Sequence, residues 1–284
     1  MHSVAARDNS PRAVDDTGAV VRLTQPARRI VSLSPHVTEL LFEAGAGNHV
    51  VGAVAYSDYP PAAKTIPGVG SAGQLDLEKI FTLQPDLVVA WYSGNSLQDM
   101  LAIQQMGIPV FYSDPRRIQD IPRNLEQLGI LTGNIRIARS RAAAFRKHYE
   151  SLRKQFSGME KMRVFFQLWY QPLMTVNGEH LISDLIALCG GINVFGKTRS
   201  LTPVVGQEAV VRTAPEVVLA TDVDRSDLVD RWRTAPAIPA MVSDTFYVLS
   251  ADLLHRQGPR ILQGAEQVCR SLQDARLKIR GTGN

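Results

Sequence analysis

The feature that most constrains this chain is a sequence pattern that occurs twice. Residues 77–90 read LEKIFTLQPDLVVA, and residues 207–220 read QEAVVRTAPEVVLA. A second pair follows the same order, with TELLFEAGAGNHVVG at Thr38–Gly52 and SDLIALCGGINVFG at Ser183–Gly196. Both members of this second pair predict an amphipathic helix that is closed by glycines and followed by a short strand. Two repeats in one order predict two lobes of one design, with the functional site in a cleft between them.

Composition narrows the class of protein further. The 284 residues suffice for one large domain or two modest ones, and 45% hydrophobic with 20% charged residues is typical of a soluble globular chain. The net charge is +4, but the basic residues are scattered and no aromatic-interleaved basic stripe occurs, so we expect no nucleic-acid partner. No apolar run approaches the roughly 18 residues of a membrane span. Residues 1–27 contain no signal-peptide hydrophobic segment, which leaves the cellular location open.

Predicted strands alternate with predicted helices about every 20 to 25 residues, a pattern that indicates parallel sheets built from βαβ units. We predict strands at residues 19–23, 29–33, 50–54, 87–90, 110–112 and 163–168 and helices at residues 37–44, 77–83, 97–106, 118–131 and 261–277. Residues 1–16 are polar, and we expect them to be disordered.

The stretch Ile135–Phe156 differs from the rest of the chain. Its apolar residues form one helical stripe at steps of three and four, and its other faces are basic. Twenty-two residues make a helix about 33 Å long, which we interpret as a rigid connector that permits little closure of the cleft. The predicted organisation is a disordered N-terminus with a short hairpin (1–28), an N-terminal lobe (29–133), a bridging helix (134–157) and a C-terminal lobe (158–284).

No catalytic motif is found in the sequence. Gly68–Gly73 matches G-x-G-x-x-G, but no strand directly precedes it, which argues against a dinucleotide site. The six histidines show no metal-ligand spacing, and we expect His36 and His255 to be hydrogen-bonding surface groups. We therefore expect no enzymatic activity, no metal site and no catalytic cofactor.

The residues that follow the predicted strands indicate a binding site, because ligands of open parallel sheets lie off the carboxyl ends of the strands. These residues are Ser34-Pro35, Tyr56, Trp91-Tyr92, Trp169-Tyr170-Pro172 and Asp252–Arg256. Any one aromatic residue could simply cap its strand. Together they predict a large, flat or polycyclic ligand whose polar groups meet Asp252 and Arg256.

Two cysteines, Cys189 and Cys269, lie in predicted helical contexts. They are either two buried free thiols or one disulfide formed in an oxidising compartment. The sequence pattern alone leaves both alternatives open.

Several segments resemble the helical-backbone class of periplasmic substrate-binding proteins, which serve ABC importers of cobalamin, haem and iron siderophores. The matching segments are RIVSLSP at Arg29–Pro35 with Thr38–Leu40, YSDYPP at Tyr56–Pro61, PDLVVAW at Pro85–Trp91 and Gly258–Arg260. The likeness runs from about Arg29 to Leu277 and is closest to the cobalamin-binding members.

The resemblance implies two Rossmann-like α/β lobes with parallel sheets, joined by one long backbone helix. It further implies a ligand in the cleft, a periplasmic location and an ABC permease–ATPase complex of the inner membrane as partner. The expected ligand is cobalamin or a related corrinoid, with haem as the alternative, and the expected oligomeric state is a monomer.

The resemblance also implies roles for individual residues. Tyr56, Trp91, Asp252 and Arg256 correspond to ligand contacts, to which we add Pro35, Trp169 and Tyr170 because they also follow predicted strands. Cys189 and Cys269 correspond to a disulfide, which favours that alternative. This chain has Ala72 and Thr202 where well-studied cobalamin binders have tryptophans. Trp169 and Tyr170 are the candidates to replace them, and the departure keeps a related corrinoid or haem open.

Glu78 and Glu208 correspond to the acidic residues that dock such proteins onto the permease. Each opens a predicted helix, where the helix dipole alone stabilises a glutamate by about 0.3–1 kcal/mol. Their occurrence at matched points of the two repeats favours a two-point electrostatic dock. The competing class is a two-lobed, nitrogenase-like metal-dependent enzyme, which would need cysteines or histidines that converge on the cleft.

Overall fold

The computed structural model describes residues 10–221, 223–233 and 238–282. The chain divides into two compact units, one of Met1–Pro115 with Gln119–Phe145 and one of Arg116–Ile118 with Arg146–Asn284. Each unit contains its own four-stranded parallel sheet. No helix of the described ranges is both long enough and apolar enough to cross a membrane.

The first unit is built around a parallel sheet with the strand order β4-β3-β7-β8. Its helices and strands are β1 (Arg12–Val14), β2 (Val20–Arg22), β3 (Ile30–Ser32), α1 (Pro35–Glu43), β4 (Val50–Ala53), β5 (Gly70–Ser71), β6 (Gln74–Leu75), α2 (Leu77–Thr82), β7 (Leu87–Trp91), α3 (Leu97–Gln105), β8 (Val110–Ser113), α4 (Asp120–Thr132) and the start of α5 (Ile135–Phe156). Short 3₁₀ helices lie at Gly47–His49 and Pro61–Thr65. Val31, Val88, Ile80 and Ile103 belong to one buried core cluster between sheet and helices.

The second unit is built around a parallel sheet with the strand order β10-β9-β11-β12. Its further elements are β9 (Met162–Gln167), α6 (Leu181–Leu188), β10 (Gly191–Asn193), α7 (Gln207–Arg212), β11 (Val217–Thr221), α8 (Arg225–Arg233), α9 (Pro239–Val242), β12 (Phe246–Leu249), α10 (Ala251–Leu254) and α11 (Ile261–Thr282). In both sheets the second strand in the chain is the edge strand, and the first, third and fourth strands follow it in that spatial order. The two α/β units with parallel sheets that the repeats predicted are therefore confirmed.

The repeated proline–acid pair performs the same task in both units. Asp86 accepts a hydrogen bond from the backbone N–H of Arg29 at 3.0 Å, and Glu216 accepts one from that of Arg163 at 2.8 Å. The acidic residue thereby joins the start of one central strand to the start of its neighbour, β3 to β7 and β9 to β11. This shared function explains why the sequence pattern recurs.

The helix predicted at Ile135–Phe156 is confirmed with the same bounds. Its buried stripe consists of Ala138, Ala142, Phe145, Leu152 and Phe156. A Cβ atom on Gly129 of α4 would lie 2.2 Å from the Cβ of Ala138, so a glycine is needed where α4 and α5 pack. The boundary between the two compact units falls inside this helix, after Phe145. The predicted division into residues 29–133 and 158–284 with a separate bridging helix, and the limited closure expected from it, stay predictions.

The prediction of disorder for residues 10–16 is wrong, and residues 1–9 lie outside the described residues. Strand β1 pairs with β2 as an antiparallel hairpin. The backbone N–H of Asp16 donates to the carbonyl of Tyr112, and the carboxylate of Asp16 accepts from the backbone N–H of Asp114 at 2.6 Å and from Asn124 at 2.8 Å. Strand β8 is an edge strand, and this segment gives its free backbone groups partners. The polar composition that indicated disorder supplies those partners.

A disulfide joins Cys189 to Cys269, as the family resemblance implied, with a Cα–Cα distance of 4.7 Å. It connects the end of α6 to the middle of α11. Arg276 lies about two turns after Cys269 in α11. Its guanidinium donates to the carbonyl of Cys189 at 2.9 Å and to that of Glu160 at 3.0 Å. The C-terminal helix is therefore attached covalently to the end of α6, and the buried guanidinium of Arg276 also binds it to the segment before β9.

Candidate functional site

Three predicted ligand-contact residues lie at the carboxyl edge of the first sheet. Pro35 begins α1 after β3, Tyr56 follows β4, and Trp91 is the last residue of β7. The three strands are adjacent and parallel, so their ends share one edge. The structure thus brings these residues to the edge where ligands of open α/β sheets bind, and their role in binding stays a prediction.

The indole of Trp91 is held from several sides. Its Nε1–H donates to Oδ1 of Asp114 at 3.0 Å, and the hydroxyl of Ser93 donates to the same oxygen at 2.6 Å. The ring of His36 meets it edge-on with centroids 5.8 Å apart. A Cβ atom on Gly94 would lie 1.9 Å from the indole, so only glycine fits beside the ring in this arrangement. The indole is therefore pre-organised before any ligand arrives.

Asn95 connects three of the loops at this edge. Its Oδ1 accepts from the backbone N–H of Trp91 at 2.7 Å. Its Nδ2 donates to the carbonyl of Leu33, after β3, and to that of Ala72, in the β5–β6 hairpin, at 3.0 Å each. One half-buried amide thus satisfies three backbone groups that no strand or helix satisfies, and it joins these loops into one hydrogen-bonded assembly.

Tyr56 lies in a loop that contacts the same β5–β6 hairpin, but its side chain is exposed. The backbone N–H of Ala55 donates to the carbonyl of Gly70 at 2.8 Å, which attaches this loop to the β5–β6 hairpin. Tyr56 has a φ of 65°, in the left-handed region that few non-glycine residues adopt, and it is 80% exposed. It borders a hollow of about 340 Å³ that Ser57 and Lys64 also line. A large aromatic ring is held in solvent here by an unusual backbone conformation, an arrangement often found at functional sites.

The prediction that His36 is a surface group is wrong, because the structure buries it. Nδ1 shares a hydrogen bond with the hydroxyl of Ser34 at 2.7 Å, and Nε2 shares one with that of Ser113 at 3.4 Å. Burial lowers the pKa of His36 to about 4, although the negative charge of Asp114 acts to raise it. A neutral imidazole with both nitrogens partnered is compatible with the interior. His36 therefore packs beneath Trp91 as an uncharged group.

In the second unit, Trp169 and Tyr170 lie beside a pocket of about 290 Å³. Residues that line it include Gln167, Trp169, Tyr170, Thr221, Val223 and Arg231. The ring of Trp169 is 56% exposed, and its Nε1–H donates to the carbonyl of Gln171 at 3.0 Å. The guanidinium of Arg231 lies 4.3 Å from the centroid of the Tyr170 ring. These residues follow β9 and β11, so the pocket opens at the carboxyl edge of the second sheet.

Asp252 and Arg256 form an ion pair at 2.9 Å near α10, which follows β12. The Arg256 side chain is 12% exposed, whereas that of Asp252 is 63% exposed. His255 between them is exposed and shares a hydrogen bond with the hydroxyl of Thr221 at 2.9 Å, so its predicted surface role is confirmed. The pair presents a carboxylate to solvent and keeps its arginine largely covered.

Glu78 and Glu208 occupy matched positions in the first turns of α2 and α7, the helices that lead into β7 and β11. Both side chains are exposed, and neither makes an ion pair with another described residue. Two glutamates at equivalent points of the repeat are therefore available to a partner.

The residues of the described ranges contain no cluster of three or more histidine, cysteine, aspartate or glutamate side chains suited to a metal ion. The sequence analysis missed Asn95, Asp114, Gln167 and Arg231. For Asn95 and Asp114 a signal exists, since each is a polar residue shortly after a predicted strand. Nothing in the sequence distinguishes Arg231 from the other arginines of α8.

The sequence model of the periplasmic binding protein family matches residues 30–253. The chain is 34% identical to the vitamin B12-binding protein of Vibrio cholerae over 252 residues, which cover 88% of this chain and 91% of that protein. It is 36% identical to the vitamin B12-binding protein of Yersinia pestis over 250 residues, 87% of each chain.

Solved structures give the same result. The periplasmic vitamin B12-binding protein BtuF of Vibrio cholerae matches with a TM-score of 0.82 and 34% identity over 88% of this chain and 98% of that chain. The periplasmic haem-binding protein RhuT from Roseiflexus has a TM-score of 0.77 at 24% identity, covers 88% of this chain and 99% of its own, and is similar in fold alone. With its parallel sheets, its long helix and a family match over residues 30–253, this chain belongs to the periplasmic binding protein family.

Proposed function

We propose that this protein is the periplasmic substrate-binding component of an ABC importer. It captures cobalamin or a related corrinoid with the residues that follow the strands of its two sheets, and delivers it as a monomer to a permease–ATPase complex in the inner membrane. The protein carries out no chemistry on the ligand. The alternatives within the same family are a haem or an iron-siderophore ligand.

The observation that carries this proposal is the aromatic edge of the first sheet, where Trp91 is fixed and Tyr56 is exposed. A corrin macrocycle is broad and mostly apolar on its faces, and rigid aromatic side chains contact such a surface with little loss of conformational entropy. Trp169 and Tyr170 offer a similar surface in the second unit, as candidates to replace the tryptophans missing at Ala72 and Thr202. The vitamin B12-binding relatives support a corrinoid over haem.

Asp252 is the proposed polar contact, because its exposed carboxylate can accept hydrogen bonds from the peripheral amides of a corrinoid. Arg256 sets the position of that carboxylate through their ion pair. Pro35 contributes apolar surface at the start of α1. The disulfide between Cys189 and Cys269 supports the periplasmic location, since disulfides persist in oxidising compartments.

Docking onto the permease is the proposed role of Glu78 and Glu208. Both carboxylates are exposed at matched helix starts, and neither holds another described residue in an ion pair. Surface charges of this kind steer and orient a partner that carries complementary arginines or lysines. A permease surface with two basic pockets fits this arrangement.

Titration calorimetry with cyanocobalamin and, separately, with haemin tests the choice of ligand. We expect binding of cyanocobalamin, together with a change in its visible absorption spectrum. Trp91→Ala should weaken that binding by at least about 1 kcal/mol, the contribution of a well-packed aromatic contact. Phe81→Ala is the matched control, since Phe81 is exposed on α2 and does not follow a strand. Binding of haemin but not of cyanocobalamin would replace the corrinoid by the haem alternative.

A further inference from the structure

The pocket in the second unit offers room for a side group of a macrocyclic ligand. Its volume is about 290 Å³. Gln167 and Thr221 are the last residues of the adjacent strands β9 and β11, and they line the pocket together with Trp169 and Tyr170. The chemistry of this pocket therefore concerns one substituent of the ligand.

Arg231 brings a positive charge to this pocket. Its guanidinium lies 4.3 Å from the centroid of Tyr170, a cation–π contact that holds the group in place. On the same helix, Arg225 pairs with Asp244 and Arg233 pairs with Asp230, whereas Arg231 makes no ion pair with any described residue. A guanidinium over an aromatic face keeps N–H donors at its edge for another partner.

Gln167 contributes a second donor with a defined orientation. Its side chain is only 3% exposed, and Nε1–H of the buried Trp232 donates to its Oε1 at 3.2 Å. The amide oxygen is therefore engaged from behind, which leaves the Nε2 hydrogens as the donors of this side chain. Because Gln167 lines the pocket, its amide can donate a hydrogen bond to an acceptor group of a ligand there.

We infer that this pocket, formed by Gln167, Trp169, Tyr170 and Arg231, receives an anionic group of the ligand, a carboxylate or a phosphate. A fixed guanidinium and an oriented amide donor beside aromatic walls are the groups that bind such oxyanions. The inference rests on the proposed function. Two ligand classes can supply the anion: the phosphodiester of the nucleotide loop of cobalamin, or the propionate carboxylates of haem.

Calorimetry with three probes tests the inference, using Arg231→Gln, which keeps hydrogen-bonding capacity and removes the charge. Cyanocobalamin carries the phosphodiester, cobinamide is a corrinoid that lacks it, and haemin carries two carboxylates. We expect Arg231→Gln to weaken cyanocobalamin binding at least about fivefold, the loss of one charge-assisted hydrogen bond. Cobinamide binding should change less than about twofold. Arg233→Gln, on the same helix, should change neither.

A second variant keeps the test decisive if Arg231→Gln does not fold. Gln167→Glu preserves an acceptor for Trp232 but adds a negative charge. It should therefore weaken the binding of cyanocobalamin and leave the binding of cobinamide nearly unchanged. If either variant weakens cyanocobalamin and cobinamide equally, or weakens neither, the anion site is overturned while the proposed function stands.

The haemin titrations separate the two sources of the anion. If wild type binds haemin and no corrinoid, the corrinoid proposal fails, and a loss of haemin affinity in Arg231→Gln would support the pocket as a carboxylate site. An unchanged haemin affinity would overturn it. Wild-type protein that binds none of the three probes would contradict the proposed function and the inference together.

Discussion

The indole N–H of Trp91 donates a hydrogen bond to the carboxylate of Asp114 at 3.0 Å, and this contact joins the end of β7 to the segment after β8. The backbone N–H of Asp114 in turn donates to Asp16 of the N-terminal hairpin. A residue proposed to contact the ligand is therefore oriented by a segment that precedes the first central strand. The predictions that follow test how far binding and stability depend on such contacts.

Gly94→Ala should displace the indole of Trp91, because the added Cβ would lie 1.9 Å from the ring. We expect cyanocobalamin affinity to fall by about 1 kcal/mol or more, as for Trp91→Ala. Near-ultraviolet circular dichroism should report the altered tryptophan environment. Gly281→Ala is the control, since a Cβ there meets nothing within 4 Å. Unchanged affinity in the Gly94 variant would show that the indole does not need this position.

Asn95→Asp keeps the size of the side chain and its acceptor for Trp91, but it removes the donors to Leu33 and Ala72. We expect unfolding free energy to fall by about 1–3 kcal/mol, the cost of leaving buried carbonyls without partners. Amide hydrogen exchange in the β5–β6 hairpin should accelerate. Asn48→Asp makes the same change at an exposed position and should have little effect. Equal exchange rates in the two variants would contradict the assigned role of Asn95.

His36 makes stability depend on pH in a defined window. Its folded-state pKa of about 4 lies below the ordinary value of 6.5, so the unfolded chain binds the proton more tightly between these values. Unfolding free energy should therefore decrease as the pH falls from 6.5 to about 4, by up to about 3 kcal/mol from this group. Urea unfolding at several pH values measures the slope.

His36→Gln should flatten the part of that slope that His36 contributes. A slope in His36→Gln identical to that of wild type would mean that His36 is not the group responsible.

Replacement of both Cys189 and Cys269 by alanine should destabilise the protein by roughly 4–5 kcal/mol, the chain-entropy value for a loop of this size. Urea unfolding with and without reductant measures the difference. Reductant should destabilise wild type and leave the double variant unaffected. Thiol counting in denaturant without reductant should find no free thiol, and two titratable thiols would show that the bond does not form.

Glu78→Ala combined with Glu208→Ala should leave cyanocobalamin affinity and thermal stability nearly unchanged, because both carboxylates are exposed and belong to no ion pair with described residues. Transport by the reconstituted importer and stimulation of its ATPase should fall sharply, and by more than for either single change. The control is Glu179→Ala combined with Asp227→Ala, which removes two other exposed carboxylates. Loss of ligand affinity with intact ATPase stimulation would contradict the docking role and show that the glutamates act in ligand binding.

Local patterns in the sequence determined the two α/β units, the helix Ile135–Phe156 and the aromatic ends of β7 and β9. These features follow from hydrophobic periodicity and turn residues, which act over a few positions and can be read without knowing the fold. The repeated proline–acid pair is also visible in the sequence, but its contacts, Asp86 with Arg29 and Glu216 with Arg163, join distant residues and belong to the tertiary structure.

The tertiary structure decided the rest, because the contacts concerned join residues that are far apart in the chain. Composition made residues 10–16 resemble a disordered segment, but Asp16 meets Asp114 only once β8 lies at the edge of the sheet. His36 is polar, yet two hydroxyls brought in by packing let the core accept it. The position of Arg231 over Tyr170 likewise depends on how α8 packs beside β9 and β11. Sequence proximity carries no information about such partners, since packing alone selects them.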